Sequence, residues 1–148
     1  MAFVRRKGKT KFMYLPMSAS VEVLPGELMA MSGGKLIIAT ATTACYNIVG
    51  VLRHKIDSTD ADYATDLRLV EIEVPVEKNV VWEADVTGTL VVTDIGTYKD
   101  LTVGNGTTTT GSITQAASTY DIAQVVEFIS TSKAGVVLNI GADAAVKG

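Results

Sequence analysis

The chain has 148 residues, of which 47% are apolar, and a formal net charge of −3. A chain of this length buries enough surface for one core without staples. A lone cysteine, Cys45, excludes an intrachain disulfide, and the absence of any apolar run near 18 residues excludes a membrane-spanning helix. Val, Ile, Thr, Ala and Gly predominate, so the composition favours strands and turns.

The first residues concentrate positive charge. Five of the thirteen cations fall within eleven residues, and all sixteen acidic residues lie in the remainder of the chain. These cations are Arg5, Arg6, Lys7, Lys9 and Lys11, and the apolar residues nearest them include Phe3, Phe12 and Tyr14. Such asymmetry usually marks a contact segment and not a folding element. We therefore predict an extended basic N-terminal arm over residues 1–14.

Residues 15–141 predict a single β domain. Strands at 27–31 and 35–40 flank Ser32-Gly33-Gly34, which is a good hairpin signal. Further short strands are predicted at 46–52, 67–76, 80–86, 89–93, 97–103, 121–129 and 135–140. A Gly-Thr stretch at 104–112 predicts an exposed, mobile hairpin tip, and residues 142–148 predict a C-terminal tail. The expected fold class is all-β, a compact β-barrel or sandwich of short antiparallel strands with the extended arm.

Alternation within two of these strands indicates which side chains are buried. From 67 to 76, Leu67 and Leu69 and then, after a break of phase, Val70, Ile72, Val74 and Val76 are predicted to face one way. The acidic residues Glu71, Glu73 and Glu77 are predicted to face solvent. In the strand 80–86 the buried side is predicted to carry Val80, Trp82, Ala84 and Val86. Gly50 predicts a bulge or a point where backbones approach closely.

Candidate catalytic and metal sites are weak. His54 is the one histidine, and its neighbours Arg53 and Lys55 disfavour its protonated form and supply no orienting carboxylate. Four aspartates at positions 57–66 suggest calcium, but the EF-hand glycine and terminal glutamate are missing, and a capped one- or two-turn helix at 58–65 explains them better. We expect no enzyme activity, no cofactor and no bound metal.

The basic arm has two candidate types of partner. Clustered Lys and Arg can bind nucleic acid by counterion release. The rest of the chain is acidic, however, and no exposed aromatic residues alternate with cations on a strand to form a stacking surface. Apolar residues between the charges favour an acidic protein groove or the sheet edge of a neighbouring subunit. We therefore predict a protein partner, with nucleic acid as the less favoured alternative.

Several segments resemble small capsid-associated proteins of tailed bacteriophages, in particular head decoration, or cement, proteins. These segments are Met-Ala-Phe-Val-Arg-Arg-Lys-Gly at 1–8, the strand pair around Gly33-Gly34, and positions 58–64, 82–90, 96–101 and 128–137. The resemblance implies a small β-rich protein that binds the outside of an expanded capsid, commonly as a trimer or dimer. It brings no catalytic or ligand residues. The Gly-Thr stretch at 104–112 departs from the pattern.

The expected function is therefore that of a capsid decoration protein that bridges neighbouring major capsid subunits and stabilises the shell. Its expected partners are the major capsid protein and itself, with a homotrimer favoured over a dimer, and no membrane. Contact is expected through Phe3, Arg5, Arg6, Lys7, Lys9, Lys11, Phe12 and Tyr14. The expected location is the capsid exterior of the virion, after synthesis in the host cytoplasm. A tail-tube or head-appendage protein is the alternative.

Overall fold

The computed structural model describes residues 3–40, 43, 47–102, 109–115 and 120–139. These residues form strands, turns and one 3₁₀ turn at Val92–Asp94, with no α-helix among them. The strands are β1 Phe3–Lys7, β2 Thr10–Met17, β3 Leu28–Ser32, β4 Lys35–Ile38, β5 Ile48–Leu52, β6 Arg68–Pro75, β7 Val81–Thr87, β8 Tyr98–Thr102, β9 Ser112–Thr114, β10 Ala123–Ser130 and β11 Lys133–Leu138. The predicted all-β class is confirmed.

The strands form two sheets. The first has the order β1-β7-β11-β10-β8-β9, and it curls because β9 also pairs with β7 at Val86 and Thr87. The second is a closed barrel with the order β2-β4-β3-β5-β6. The predicted hairpin at Ser32-Gly33-Gly34 joins β3 to β4 within this barrel.

Strands β3 and β5 separate two hydrophobic cores. On one face, Leu28 and Val51 join the core that contains Trp82 of the first sheet. On the other face, Met29 and Leu52 point into the barrel interior. Successive side chains of a strand point to opposite faces, so a strand between two cores needs apolar residues at every position. This explains why β3 and β5 read as nearly continuous apolar runs.

The alternation predicted for β6 and β7 is partly confirmed. Val70, Ile72 and Val74 of β6 are buried in the barrel. Val80, Trp82, Ala84 and Val86 form one side of the first core, as predicted. The prediction is wrong for Leu67, Leu69 and Val76, which are exposed. Strand β6 keeps a continuous register with β2, so no bulge restores the phase of Leu69, and this side chain points outward.

Three local predictions fail for identifiable reasons. The predicted helix at 58–65 is a series of turns, because the Asp57 carboxylate accepts the backbone N–H of Thr59 at 2.9 Å and each turn closes with a bond between residues three apart. The predicted strand at 89–93 gives way to the 3₁₀ turn. The short strand β9 was not predicted. Cys45, residues 104–108 of the predicted tip and the predicted tail at 142–148 lie outside the described residues.

One carboxyl group is fully buried. Glu27 immediately precedes β3, and its Oε1 accepts the backbone N–H of Gly111 at 2.9 Å, which ties the chain before β9 to the barrel. Burial raises the pKa of Glu27 above its ordinary value, against the smaller opposing effect of the backbone hydrogen bonds from Gly111 and Leu28.

This burial predicts a pH dependence of stability. The pKa of Glu27 is raised in the folded state above the 4.5 of a free glutamate, so its contribution is fully present below pH 4.5 and is lost as pH rises through the folded pKa. Glu27→Gln keeps the acceptor for Gly111 and cannot ionise. We expect Glu27→Gln to match the wild type near pH 4 and to be the more stable protein at pH 7. Urea unfolding across this range checks this, and parallel pH profiles would contradict it.

Gly50 occupies the predicted point of close approach. A Cβ built there would lie 2.2 Å from the backbone oxygen of Glu73 on β6. The register between β3 and β5 also shifts here, because Met29 pairs with Gly50 whereas Ala30 pairs with Ile48. Only glycine therefore lets β5 pack against β6 at this position.

Adding one methyl group tests this contact. Gly50→Ala forces β5 and β6 apart, so we expect the free energy of unfolding to fall by about 1–3 kcal/mol or more. Thermal or urea unfolding followed by circular dichroism measures the change. A loss below about 0.5 kcal/mol, which is typical of a neutral surface substitution, would contradict the predicted clash.

Candidate functional site

The basic N-terminal segment is part of both sheets. Strand β1 pairs with β7 from Phe3↔Ala84 onward, and β2 pairs with β6 along its whole length. The Phe3 side chain is fully buried in the first core. This corrects the predicted division into an arm at 1–14 and a domain from 15, because the described residues 3–14 are integral strands of the fold.

Three of the five cations are paired within the chain. Arg5 Nε lies 3.0 Å from Glu73 Oε2, and Arg6 lies 3.2 Å from Glu83. Glu127 receives both Arg6, at 3.3 Å, and Lys7, at 2.9 Å. These carboxylates belong to β6, β7 and β10, so the charges of β1 join it to three other strands. Most of the cations in the segment that was predicted to be a contact arm therefore form ion pairs within their own domain.

The pKa values of the acidic partners reflect this pairing. Hydrogen bonds from Lys133 and then Arg6 hold the pKa of Glu83 below its ordinary value. The hydrogen bond from Lys7 does the same for Glu127. Both carboxylates are partly exposed and screened by water, so these pairs fix the position of β1 more than they stabilise the fold.

Glu73 is the point at which the two sheets are joined by charge. Its side chain is 4% exposed and contacts Arg5 of β1, Arg53 after β5 at 3.4 Å, and the Thr10 hydroxyl of β2, which donates to Oε2 at 2.6 Å. The prediction that Glu73 faces solvent is wrong. The pleat does direct Glu73 out of the barrel, but that side of β6 is covered by β1 of the other sheet.

The remaining predicted contact residues are accessible. Lys9 is exposed and Lys11 is half-buried, and neither forms an ion pair with any described residue. Phe12 is 55% exposed and Tyr14 is 62% exposed, and both point outward from β2. Tyr14 is held in place because its hydroxyl donates to Glu71 Oε2 at 2.9 Å.

Leu69 extends this apolar surface. It lies on β6 opposite Pro16, two pairs along from Tyr14↔Glu71 and therefore on the same face, and it is 63% exposed. We call Phe12, Tyr14 and Leu69 the β2 face. Leu69 was predicted to lie on the buried side, and this prediction is wrong; the break of phase after it was the one signal that it faces outward. Large apolar side chains clustered on an outer sheet face mark an interaction surface.

A second candidate site lies beside His54. A cavity of about 110 Å³ is lined by His54, Lys55, Asp60, Asp62, Arg68, Glu71 and apolar neighbours. Its charged groups pair with one another. Arg68 lies 3.4 Å from Asp62 and stacks over the ring of Tyr63, and His54 Nε2 lies 3.1 Å from Glu71 Oε1. His54 therefore has a carboxylate neighbour that the sequence did not predict, but no nucleophile contacts it among the described residues.

The aspartates at 57–66 form hydrogen bonds and ion pairs with neighbouring residues of the chain. Hydrogen bonds from the Thr59 hydroxyl and backbone, and then from Lys55, lower the pKa of Asp57 to about 2. Asp60 accepts the backbone N–H of Asp57, and Asp62 pairs with Arg68. Within the described part of the chain, no three His, Cys, Asp or Glu residues are grouped closely enough to hold a metal ion.

No protein-family model matches the chain, and no curated protein matches it either. Among the described residues, no helix has the length and apolar character needed to cross a membrane.

The different roles of the N-terminal cations can be measured. Arg5→Gln leaves buried Glu73 with one cation fewer, so we expect the free energy of unfolding to fall by about 1–3 kcal/mol. Lys9→Gln, in the same segment and without an ion pair, should change it by no more than about 0.5 kcal/mol. Urea unfolding of both variants makes the comparison. Equal losses would contradict the structural role of Arg5.

Proposed function

We propose that this protein is a capsid decoration, or cement, protein that binds the outer surface of a tailed-phage head and bridges neighbouring major capsid subunits. The observation that carries the proposal is the β2 face, which displays two aromatic side chains and a leucine on a firmly anchored strand. The sequence resemblance to phage head decoration proteins supplies the identity of the partner.

The β2 face has the composition of an adhesive surface. Aromatic side chains bury a large area at low cost in conformational entropy, and they dominate the energetics of many interfaces. The hydroxyl of Tyr14 is already bonded to Glu71, so less freedom is lost when a partner binds. Lys11 lies on the same strand and Lys9 immediately precedes it, and both favour an acidic partner. This supports binding of a protein surface.

A decoration protein stabilises a shell without chemistry. Because it binds the assembled state and not the free subunits, binding shifts the assembly equilibrium by mass action. Many copies on a closed lattice make modest individual contacts collectively durable. Two sheets that share a core and the Glu73 ion pairs provide a rigid body for such a bridge, and association as a trimer or dimer would multiply its contacts.

Nucleic-acid binding is less well supported. Binding by counterion release requires cations whose counterions are free to leave. Arg5, Arg6 and Lys7 are instead paired with carboxylates of the same chain. A place in a tail tube or head appendage would use the same β2 face. It differs in that rings or tubes should form without any shell.

Binding to shells tests the proposal. The protein should bind expanded heads that lack it, prepared from the phage that encodes it, and should raise their disruption temperature. The double substitution Phe12→Ala/Tyr14→Ala removes most of the β2 face, so the dissociation constant should rise about tenfold to a hundredfold.

The matched control is Tyr98→Ala, which removes an exposed tyrosine from β8 and should leave shell binding unchanged. Unfolding curves of all variants exclude loss of fold. The proposal fails if the wild type binds no form of the shell. If the double variant bound shells with the affinity of the wild type, the β2 face would not be the shell-binding surface.

A further inference from the structure

Strand β2 has one open edge. On one side it pairs with β6 over eight consecutive residues, from Thr10↔Pro75 to Met17↔Arg68. On the other side it pairs with β4 through the single pair Met17↔Leu36. No described strand pairs with the open edge of residues 10–16. The barrel is thus closed at one end of β2, and among the described residues the rest of that edge is unpaired.

The hydrogen-bond pattern shows which backbone groups face the open edge. Val76 donates its N–H to the oxygen of Lys9 at 3.1 Å, so Lys9 and each second residue after it direct their backbone groups toward β6. Thr10, Phe12 and Tyr14 therefore direct N–H and C=O away from β6. Pro16 has the same orientation. Proline has no N–H, so it is tolerated within a sheet mainly at such an unpaired edge.

We propose that this edge binds an extended segment of another protein, which adds a strand beside β2, is mainly apolar, and carries acidic residues where it passes Lys9 and Lys11. Such strand addition supplies affinity through main-chain hydrogen bonds and specificity through alternate side chains. The edge from Thr10 to Tyr14 offers three donors and three acceptors over about 17 Å, so it accommodates about five residues.

The preferred side chains of the added strand follow from the two faces of β2. Phe12 and Tyr14 lie on the outer face, where an added strand would place apolar side chains beside the two rings. Lys9 and Lys11 lie at one end of the opposite face, without a described acidic partner, and an added strand would place two of its intervening residues beside them. Opposite charges across adjacent strands are favourable and like charges are not. Acidic residues are therefore expected at those positions. Farther along the same face as the lysines, Met13 and Leu15 pack against the barrel core, so an apolar neighbour suits them.

A second copy of β2 fits this edge poorly. The strand contains Lys11 and no acidic residue, and Lys9 immediately precedes it. Two copies paired edge to edge would bring these cations into one cluster of like charge. Charge therefore favours a different protein. This inference does not depend on the shell-binding proposal, since any protein with such a segment satisfies it.

A peptide of known sequence provides the probe. An eight-residue valine peptide that carries two alternate glutamates near one end, with both ends blocked, is titrated into the full chain labelled with nitrogen-15. We expect the amide signals of Thr10, Phe12 and Tyr14 to shift and their hydrogen exchange to slow by tenfold or more at saturation. The same peptide with glutamine in place of both glutamates should bind more weakly, and one with lysine at those positions should bind weakest.

Two substitutions at one position separate the backbone from the side chain. Tyr14→Ala removes the ring and keeps the N–H that faces the edge, whereas Tyr14→Pro removes both. Both lose the hydroxyl bond to Glu71 equally, and neither disturbs a backbone hydrogen bond to β6, so both variants should fold, which their unfolding curves verify. We expect Tyr14→Pro to bind the valine–glutamate peptide about tenfold more weakly than Tyr14→Ala.

Three outcomes would overturn the proposal. The first is the absence of any peptide effect on the β2 amides. The second is equal affinity of Tyr14→Pro and Tyr14→Ala. The third is a dimer that protects these amides before peptide is added, which would identify a second copy as the occupant. None of these outcomes decides whether the protein binds shells, because that is measured in a separate experiment.

Discussion

The buried carboxylate of Glu73 is the interaction on which the arrangement of this protein depends. It collects Arg5, Arg53 and the hydroxyl of Thr10 at the junction of the two sheets. A buried carboxylate without partners is strongly unfavourable, so each of these side chains is needed where it lies. Because Arg5 belongs to β1 and Thr10 to β2, the same contact fixes the turn between them and the start of both strands.

This anchoring decides what the N-terminal segment presents to the outside. Arg5, Arg6 and Lys7 are paired with carboxylates of the protein itself, while Phe12 and Tyr14 remain on the outer face of a fixed strand. The segment is therefore adhesive through its aromatic side chains and its open backbone edge, with Lys9 and Lys11 supplying a preference for acidic partners. A free basic arm would have had to lose its disorder on binding, whereas a strand already in the sheet does not.

Local pattern predicted much of the fold. The hairpin at Ser32-Gly33-Gly34, the buried side of β7 and the close approach at Gly50 follow from turn chemistry, alternation and the size of glycine. The pairing of β1 with β7 and of β2 with β6 could not be predicted, because it joins residues more than fifty positions apart and depends on which carboxylates meet which cations. A run of Lys and Arg looks the same in a sequence whether its partner is another molecule or the same chain.

In the candidate site, too, some residues could be predicted from local sequence and others could not. Phe12, Tyr14, Lys9 and Lys11 were predicted as contact residues from their composition, and all four are accessible to some degree. Phe3 was predicted with them but is buried, since its neighbours on β7 and the first core are distant in sequence. Leu69 was missed because its side of the strand depends on an unbroken register with β2 that alternation within β6 alone does not reveal.

Amide hydrogen exchange of the free protein tests the central claim that residues 3–14 are integral strands. The N–H groups of Lys11, Met13 and Leu15, which face β6, should exchange as slowly as those in the paired core strand β7. Those of Phe12 and Tyr14, on the open edge, should exchange faster. Uniformly rapid exchange from Phe3 to Leu15, as in an unstructured arm, would contradict the account.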